Sequence, residues 1–180
     1  MAQRASYIHA VFDCQGNPLS RREFPLRLLD YAAPDLVALD LTALDKPAVL
    51  LRLVDMLVKA GRVREGGPLV AELLKREAVM STGIGGGIAI PHALSSEVES
   101  LTLVFGRTRQ AMDFQASDAL PVDLLFMIVG PKSASGGVYV KLLARVGRLL
   151  QNEAFKERLR QSQRAEDVIE AFQSEAEYAQ

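Results

Sequence analysis

Short apolar runs of strand length alternate along this chain with longer stretches in which apolar residues recur at helical spacing. Leu36-Val37-Ala38-Leu39-Asp40-Leu41, Leu101 to Phe105 and Val122 to Val129 have the length and composition of strands. Val49, Leu50, Leu53, Leu57 and Ala60 form one helical stripe, and Tyr139, Leu142, Leu143, Val146 and Leu150 form another. A chain that alternates in this way buries its apolar residues as an α/β sandwich, with a mixed sheet flanked by helices.

Local signals bound these elements. Asp45 can cap a first helix, with Lys46 and Pro47 in its opening turn, where a missing N–H costs little. Gly61 ends it. Gly66-Gly67-Pro68 opens a second helix that runs to about Met80, with Leu69, Leu73 and Leu74 inward. A third helix is expected over Gly136 to Gln151, and two more over 153–160 and 165–177. Met112-Asp113-Phe114 reads as a short additional strand. Residues 1–35 contain a short strand over Tyr7 to Phe12, a turn over Asp13 to Pro18 and a short helix over Leu26 to Tyr31. They hold too few apolar residues for a core of their own. They read as an N-terminal extension of a domain over 36–178.

Composition narrows the chemistry. Lys and Arg total 21 against 22 Asp and Glu, a net charge of −1, and a dedicated nucleic-acid binder would carry a basic excess. The single cysteine, Cys14, excludes an internal disulfide and a cysteine-based zinc cage. His9 and His92 are the two histidines, so a three-histidine metal site cannot form within one chain. No apolar run approaches the roughly 20 residues that cross a bilayer, and no signal-peptide core follows the N-terminus. A soluble cytoplasmic protein with no membrane insertion is expected.

The segment Arg76-Glu77-Ala78-Val79-Met80-Ser81-Thr82-Gly83-Ile84-Gly85-Gly86-Gly87-Ile88-Ala89-Ile90-Pro91-His92-Ala93 carries the chemistry. An arginine sits at a helix end. A loop with glycines at 83, 85, 86 and 87 follows, and then a short strand ends in Pro-His. Successive N–H groups of such a loop can converge into an anion nest. No Lys-Ser/Thr follows the glycines, so this is not a Walker A loop. The glycines precede a strand, whereas the dinucleotide-binding motif opens a helix. An imidazole at His92 is a competent nucleophile for phosphoryl transfer near neutral pH, and Arg76 offers a fork of donors to phosphate oxygens. The residues alone leave a structural histidine and a solvated arginine equally open. Asp118 and Asp123, the remaining carboxylate pair near this region, read as surface groups.

Ser81-Thr82-Gly83-Ile84-Gly85 with Ile88-Ala89-Ile90-Pro91-His92 resembles the IIA domain of the phosphoenolpyruvate-dependent phosphotransferase system, fructose/mannitol type, a class that includes the nitrogen-regulatory IIA protein. Leu39-Asp40-Leu41 before Asp45-Lys46, then Arg76-Glu77, Met112-Asp113-Phe114 and Pro121-Val122 to Pro131, fall in family order. The resemblance implies the mannitol-type IIA fold, a mixed sheet with helices on both faces. It implies that His92 accepts a phosphoryl group from a histidine phosphocarrier protein (HPr-like). The group then passes to a IIB domain or serves as a signal to a regulatory target. No metal or other cofactor is implied. Arg76 matches the arginine near the active histidine, and Thr82 and Gly83 fall with it as phosphoryl-binding positions. One departure stands out. The family's second histidine is replaced here by tyrosine, in Tyr139-Val140-Lys141-Leu142-Leu143-Ala144. A phenol donates a hydrogen bond but stays neutral near pH 7. Tyr139 either contacts the active site or packs on its helical stripe. The alternative it raises is a IIA-like binding module with weak or no transfer.

Overall fold

In the computed structural model, which describes residues 26–42, 45–134 and 137–178, the alternation resolves into strands β1 (Val37–Leu41), β2 (Gly83–Gly85), β3 (Ile88–Ala89), β4 (His92–Leu94), β5 (Thr102–Met112) and β6 (Val122–Gly130). The helices are α1 (Lys46–Lys59), α2 (Gly66–Val79), α3 (Val138–Leu149), α4 (Glu153–Gln161) and α5 (Ala165–Gln173). Asp45 caps α1 as its residue type predicts, its Oδ1 accepting the Ala48 N–H at 2.8 Å. Gly61 leaves the helix at φ +66°, a conformation that favours glycine.

The sheet runs β1-β5-β6-β3-β2, with β4 paired to β6 beyond β3. β5 and β6 are antiparallel, as are β2 and β3, while β1 pairs β5 in parallel and both β3 and β4 pair β6 in parallel. The sheet is therefore mixed, as expected. Alternate residues of β6 feed two separate cores. Leu125, Met127 and Val129 pack with Val49, Leu53 and Leu73 of α1 and α2. Leu124, Phe126 and Ile128 pack with Leu142, Phe155 and Phe172 of α3, α4 and α5. Helices thus cover both faces. Gly106 of β5 lets α1 and β1 close on the sheet, because a Cβ there would lie 2.6 Å from Leu41 Cδ1 and 2.9 Å from Leu53 Cδ2.

Two expectations need correction. Met112-Asp113-Phe114 is not a separate strand: Met112 ends β5 and pairs with Val122. The apolar run Leu101 to Phe105 marks only the part of β5 buried on both faces, while ladder pairing to β6 carries the strand on through the more exposed residues after it. The helix expected over Leu26 to Tyr31 is a single 3-10 turn, Leu28–Asp30. The described residues before 36 pack on the domain: Leu28 is fully buried in the α3–α5 core, and the Tyr31 carbonyl accepts the Leu103 N–H at 2.8 Å. Too few apolar residues for an independent core can still complete a neighbouring one. The strand over Tyr7 to Phe12, His9 and Cys14 lie outside the described residues.

Candidate functional site

Three elements converge on His92. β3 and β4 lie end to end along one edge of β6, with Ile88 opposite Leu124 and His92 opposite Ile128. Ile90 and Pro91 join them, and proline has no N–H to give the ladder. This link is nonetheless pinned on both sides. The Ile90 N–H donates to the Thr82 carbonyl at 2.9 Å, and the Pro91 carbonyl accepts the Ile128 N–H at 2.9 Å. The last turn of α2 brings Arg76, and the start of α3 brings Tyr139. His92, Arg76 and Tyr139, with Glu72, Lys75 and Val79, line one cavity of about 330 Å³.

The hydrogen bonds fix the imidazole tautomer. His92 Nδ1 lies 2.7 Å from the Ile90 carbonyl, which can only accept, so Nδ1 carries the proton. Nε2 then holds the lone pair, and it accepts the Arg76 Nε–H at 3.0 Å. Arg76 Nη1 donates to the Met80 carbonyl at 2.9 Å, which anchors the guanidinium on the end of α2. Burial pushes the His92 pKa below the usual 6.5, and the Arg76 cation adds to the shift, against the opposing pull of the Ile90 carbonyl and Glu77. The ring is therefore neutral at pH 7, with its Nε2 lone pair taken by Arg76 at the wall of the cavity.

A consequence for stability follows from that lowered value. Between the folded pKa and 6.5 the unfolded chain binds a proton on His92 that the folded chain does not, so unfolding becomes easier as pH falls. The contribution is fully present above pH 6.5 and is lost as pH drops through the folded value. His92→Gln should flatten the fall in urea midpoint between about pH 7.5 and 5. Equal pH slopes in both proteins would show that the ring is not held neutral.

Tyr139 packs on the α3 stripe, buried among Leu142 and Val146. Its ring centroid is 6.3 Å from that of His92, with the planes tilted by 59°. Burial pushes the phenol up to about 12, although the nearby Arg76 charge pulls it down. Among the described residues its hydroxyl makes no hydrogen bond to His92. The cavity thus pairs one neutral imidazole with one neutral phenol.

The other expected residues lie elsewhere. Gly85, Gly86 and Gly87, at φ +95°, +62° and +81°, form the tight turn between β2 and β3. Along β6 the registers of Ile88 and His92 are four residues apart, about 13 Å at strand rise. The Gly86 N–H is also taken by Asp118 Oδ2 at 2.8 Å. The glycines therefore build a hairpin and not an anion nest beside His92. Thr82 gives its hydroxyl to Glu77 Oε2 at 2.6 Å and its N–H to the same carboxylate at 3.0 and 3.1 Å. The Gly83 N–H donates to Ser81 Oγ at 3.2 Å, and a Cβ on Gly83 would lie 2.7 Å from Ala116 Cα. Neither residue lines the His92 cavity. Asp123 forms a two-point pair with Arg160, at 2.8 and 3.0 Å. Glu72 and Lys75 were not singled out from the sequence, although their spacing from Arg76 along α2 places them one turn away or adjacent.

Comparison with known proteins gives the family. The family described as "Phosphoenolpyruvate-dependent sugar phosphotransferase system, EIIA 2" matches residues 31–175. The chain is 35% identical over 134 residues to the PTS system fructose-specific EIIA component of Haloferax volcanii, covering 74% of this chain and 86% of that protein. Its fold is similar to the crystal structure of Nitrogen Regulatory Protein IIA-Ntr from Neisseria meningitidis, with a TM-score of 0.69, 25% identity, and 80% and 97% of the two chains covered. It is also similar in fold to the IIA chain in the complex of mannitol enzyme IIA with phosphorylated enzyme IIB from Escherichia coli, with a TM-score of 0.67, 21% identity, and 79% and 96% covered.

Proposed function

The chain belongs to the EIIA 2 family of the phosphoenolpyruvate-dependent sugar phosphotransferase system, and from that premise we propose that it accepts a phosphoryl group on Nε2 of His92 from a histidine phosphocarrier protein (HPr-like). The observation that carries this reading is the tautomer: Nδ1 is committed to the Ile90 carbonyl, and Nε2 holds the lone pair, which accepts the Arg76 Nε–H. In the transfer, the Nε2 lone pair forms the new P–N bond as the donor's P–N bond breaks, and that electron pair returns to the donor imidazole. The His92 ring gains positive character, which the Ile90 carbonyl stabilises through Nδ1–H. Arg76 must release Nε2 at this point, and its guanidinium turns to the phosphoryl oxygens, where charge-assisted hydrogen bonds are strongest.

The phosphoryl group then passes to a IIB partner or is held as a signal to a regulatory target. The surface around the cavity suits protein docking: Val79 and Met80 at the end of α2 are 80% and 70% exposed, and Val138 and Val140 flank Tyr139 at 49% and 57%. Exposed apolar side chains around a polar reactive centre fit a transient protein–protein contact. A cytoplasmic location belongs to the same proposal, since partners of this kind meet there. Among the described residues no helix is long and apolar enough to cross a membrane. Incubation with enzyme I, the carrier protein and phosphoenolpyruvate, followed by an assay for acid-labile, base-stable phosphate, tests the reading. An unlabelled protein would refute it.

The second reading, a binding module with weak transfer, draws on Tyr139. A buried phenol pushed up to about 12 adds no positive charge to a transferred phosphoryl group. Tyr139→His should therefore speed transfer, most visibly below about pH 7, where an imidazole is substantially charged. Stopped-flow uptake across pH 5.5–8 measures this. A Tyr139→His protein with the parent's rates and pH profile would leave Tyr139 as packing alone.

A further inference from the structure

We infer that Glu77 is a positioning residue for His92, acting through Thr82 and the Ile90 carbonyl to hold the imidazole in the tautomer that leaves Nε2 unprotonated. The inference rests on His92 being the phosphoryl acceptor. Glu77 is 8% exposed in the last turn of α2, where a buried carboxylate also faces the negative end of the helix dipole. Such a placement is unfavourable unless the charge is met. It is met by the Lys46 ammonium at 2.9 Å, the Thr82 hydroxyl at 2.6 Å and the Thr82 N–H at 3.0 and 3.1 Å. Burial raises the Glu77 pKa, but these hydrogen bonds outweigh it and hold the carboxyl below its ordinary value.

The bonds continue in series toward the reactive ring. Thr82 has its N–H and hydroxyl both committed to Glu77, which holds the residue in place, and its carbonyl accepts the Ile90 N–H at 2.9 Å. The Ile90 carbonyl accepts His92 Nδ1–H at 2.7 Å. Pro91, between them, has a fixed φ, and its carbonyl is held by Ile128. The carboxylate thus anchors one end of a series of hydrogen bonds that holds the backbone on the N-terminal side of the Ile90–Pro91 peptide, whose carbonyl accepts the Nδ1 proton. Its effect on the ring is one of placement: it sets where that carbonyl points. Lys46 also donates to Gln115 at 3.2 Å and lies 4.6 Å from the Phe114 ring centroid, so α1 and the β5–β6 connection hold the anchor in place.

A merely structural Glu77 would leave the tautomer unchanged once the variant folds. Nitrogen-15 spectra of His92 at pH 7.5 separate the two roles. We expect Nδ1–H to dominate in the parent. Glu77→Gln and Thr82→Val should admit the Nε2–H tautomer and slow phosphoryl uptake from the phosphorylated carrier about tenfold, the loss of one charge-assisted bond. Thr82→Ser, which keeps the hydroxyl, should retain both properties. If Glu77→Gln does not fold by circular dichroism, the near-isosteric Thr82→Val decides the question. Folded variants with the parent tautomer and uptake would overturn the inference. A parent that takes up no phosphoryl group would refute the proposed function, while the tautomer measurement would still decide the role of Glu77.

Discussion

We expect His92→Ala to abolish phosphoryl uptake. His92 is the one imidazole among the residues that line the cavity. Tyr139 is a neutral phenol with its pKa pushed up to about 12, and Lys75 and Arg76 are cationic side chains whose role near a phosphoryl group is to bind it. Acid-labile, base-stable label should disappear in His92→Ala and persist in a His9→Ala control. Circular dichroism should report an intact fold, because the half-buried ring lies at the start of β4, where it lines the cavity. Label retained by His92→Ala would move the acceptor elsewhere and remove the basis of the assignment.

Arg76→Ala should slow uptake by about 10- to 150-fold, the range expected for losing roughly 1.5–3 kcal/mol of charge-assisted hydrogen bonding in the transition state. The defect should deepen as pH falls. Burial is the larger cause of the lowered His92 pKa, and the Arg76 cation adds to it, so removing the cation lets the ring protonate at a higher pH. A protonated ring has no lone pair on Nε2. Arg76→Lys keeps a positive charge and should keep much of the pH profile, but a single ammonium cannot hold Met80 and a phosphoryl oxygen with the same planar fork. Partial rescue by Lys is therefore expected in rate. Rapid-quench uptake measured from pH 5.5 to 8 for all three proteins checks both effects. Unchanged rates in Arg76→Ala would mean that its 3.0 Å bond to Nε2 has no part in transfer.

Much of this molecule was legible in the residues themselves wherever the signal is local. Asp45 and Pro47 mark the start of α1, because a capping carboxylate and a proline act within one turn. The α3 stripe marks Tyr139 as packed, because helical periodicity relates residues three and four apart. His92 was marked by its Ile-Pro-His segment, and the Arg76 Nε–H donates to its Nε2 at 3.0 Å. What the local signals do not carry is strand order and register. The glycine run looked like part of the reactive centre because it is adjacent in sequence, yet a strand separates neighbours by about 3.3 Å per residue and carries the hairpin about 13 Å from His92. Thr82 looked like a phosphoryl ligand, yet the end of α2 places Glu77 against every polar atom of its N–H and hydroxyl. Lys46 and Glu77 are 31 residues apart, and Lys46 and Gln115 are 69 apart. Those contacts exist only because β5 and β6 pair and α1 and α2 pack on the same face of the sheet. The sequence by itself marked most of the segments that become helix or strand, and the imidazole proposed here as the acceptor. The tertiary structure alone decided the tautomer of that imidazole, since the tautomer depends on a carbonyl whose direction is set by bonds from three separate elements.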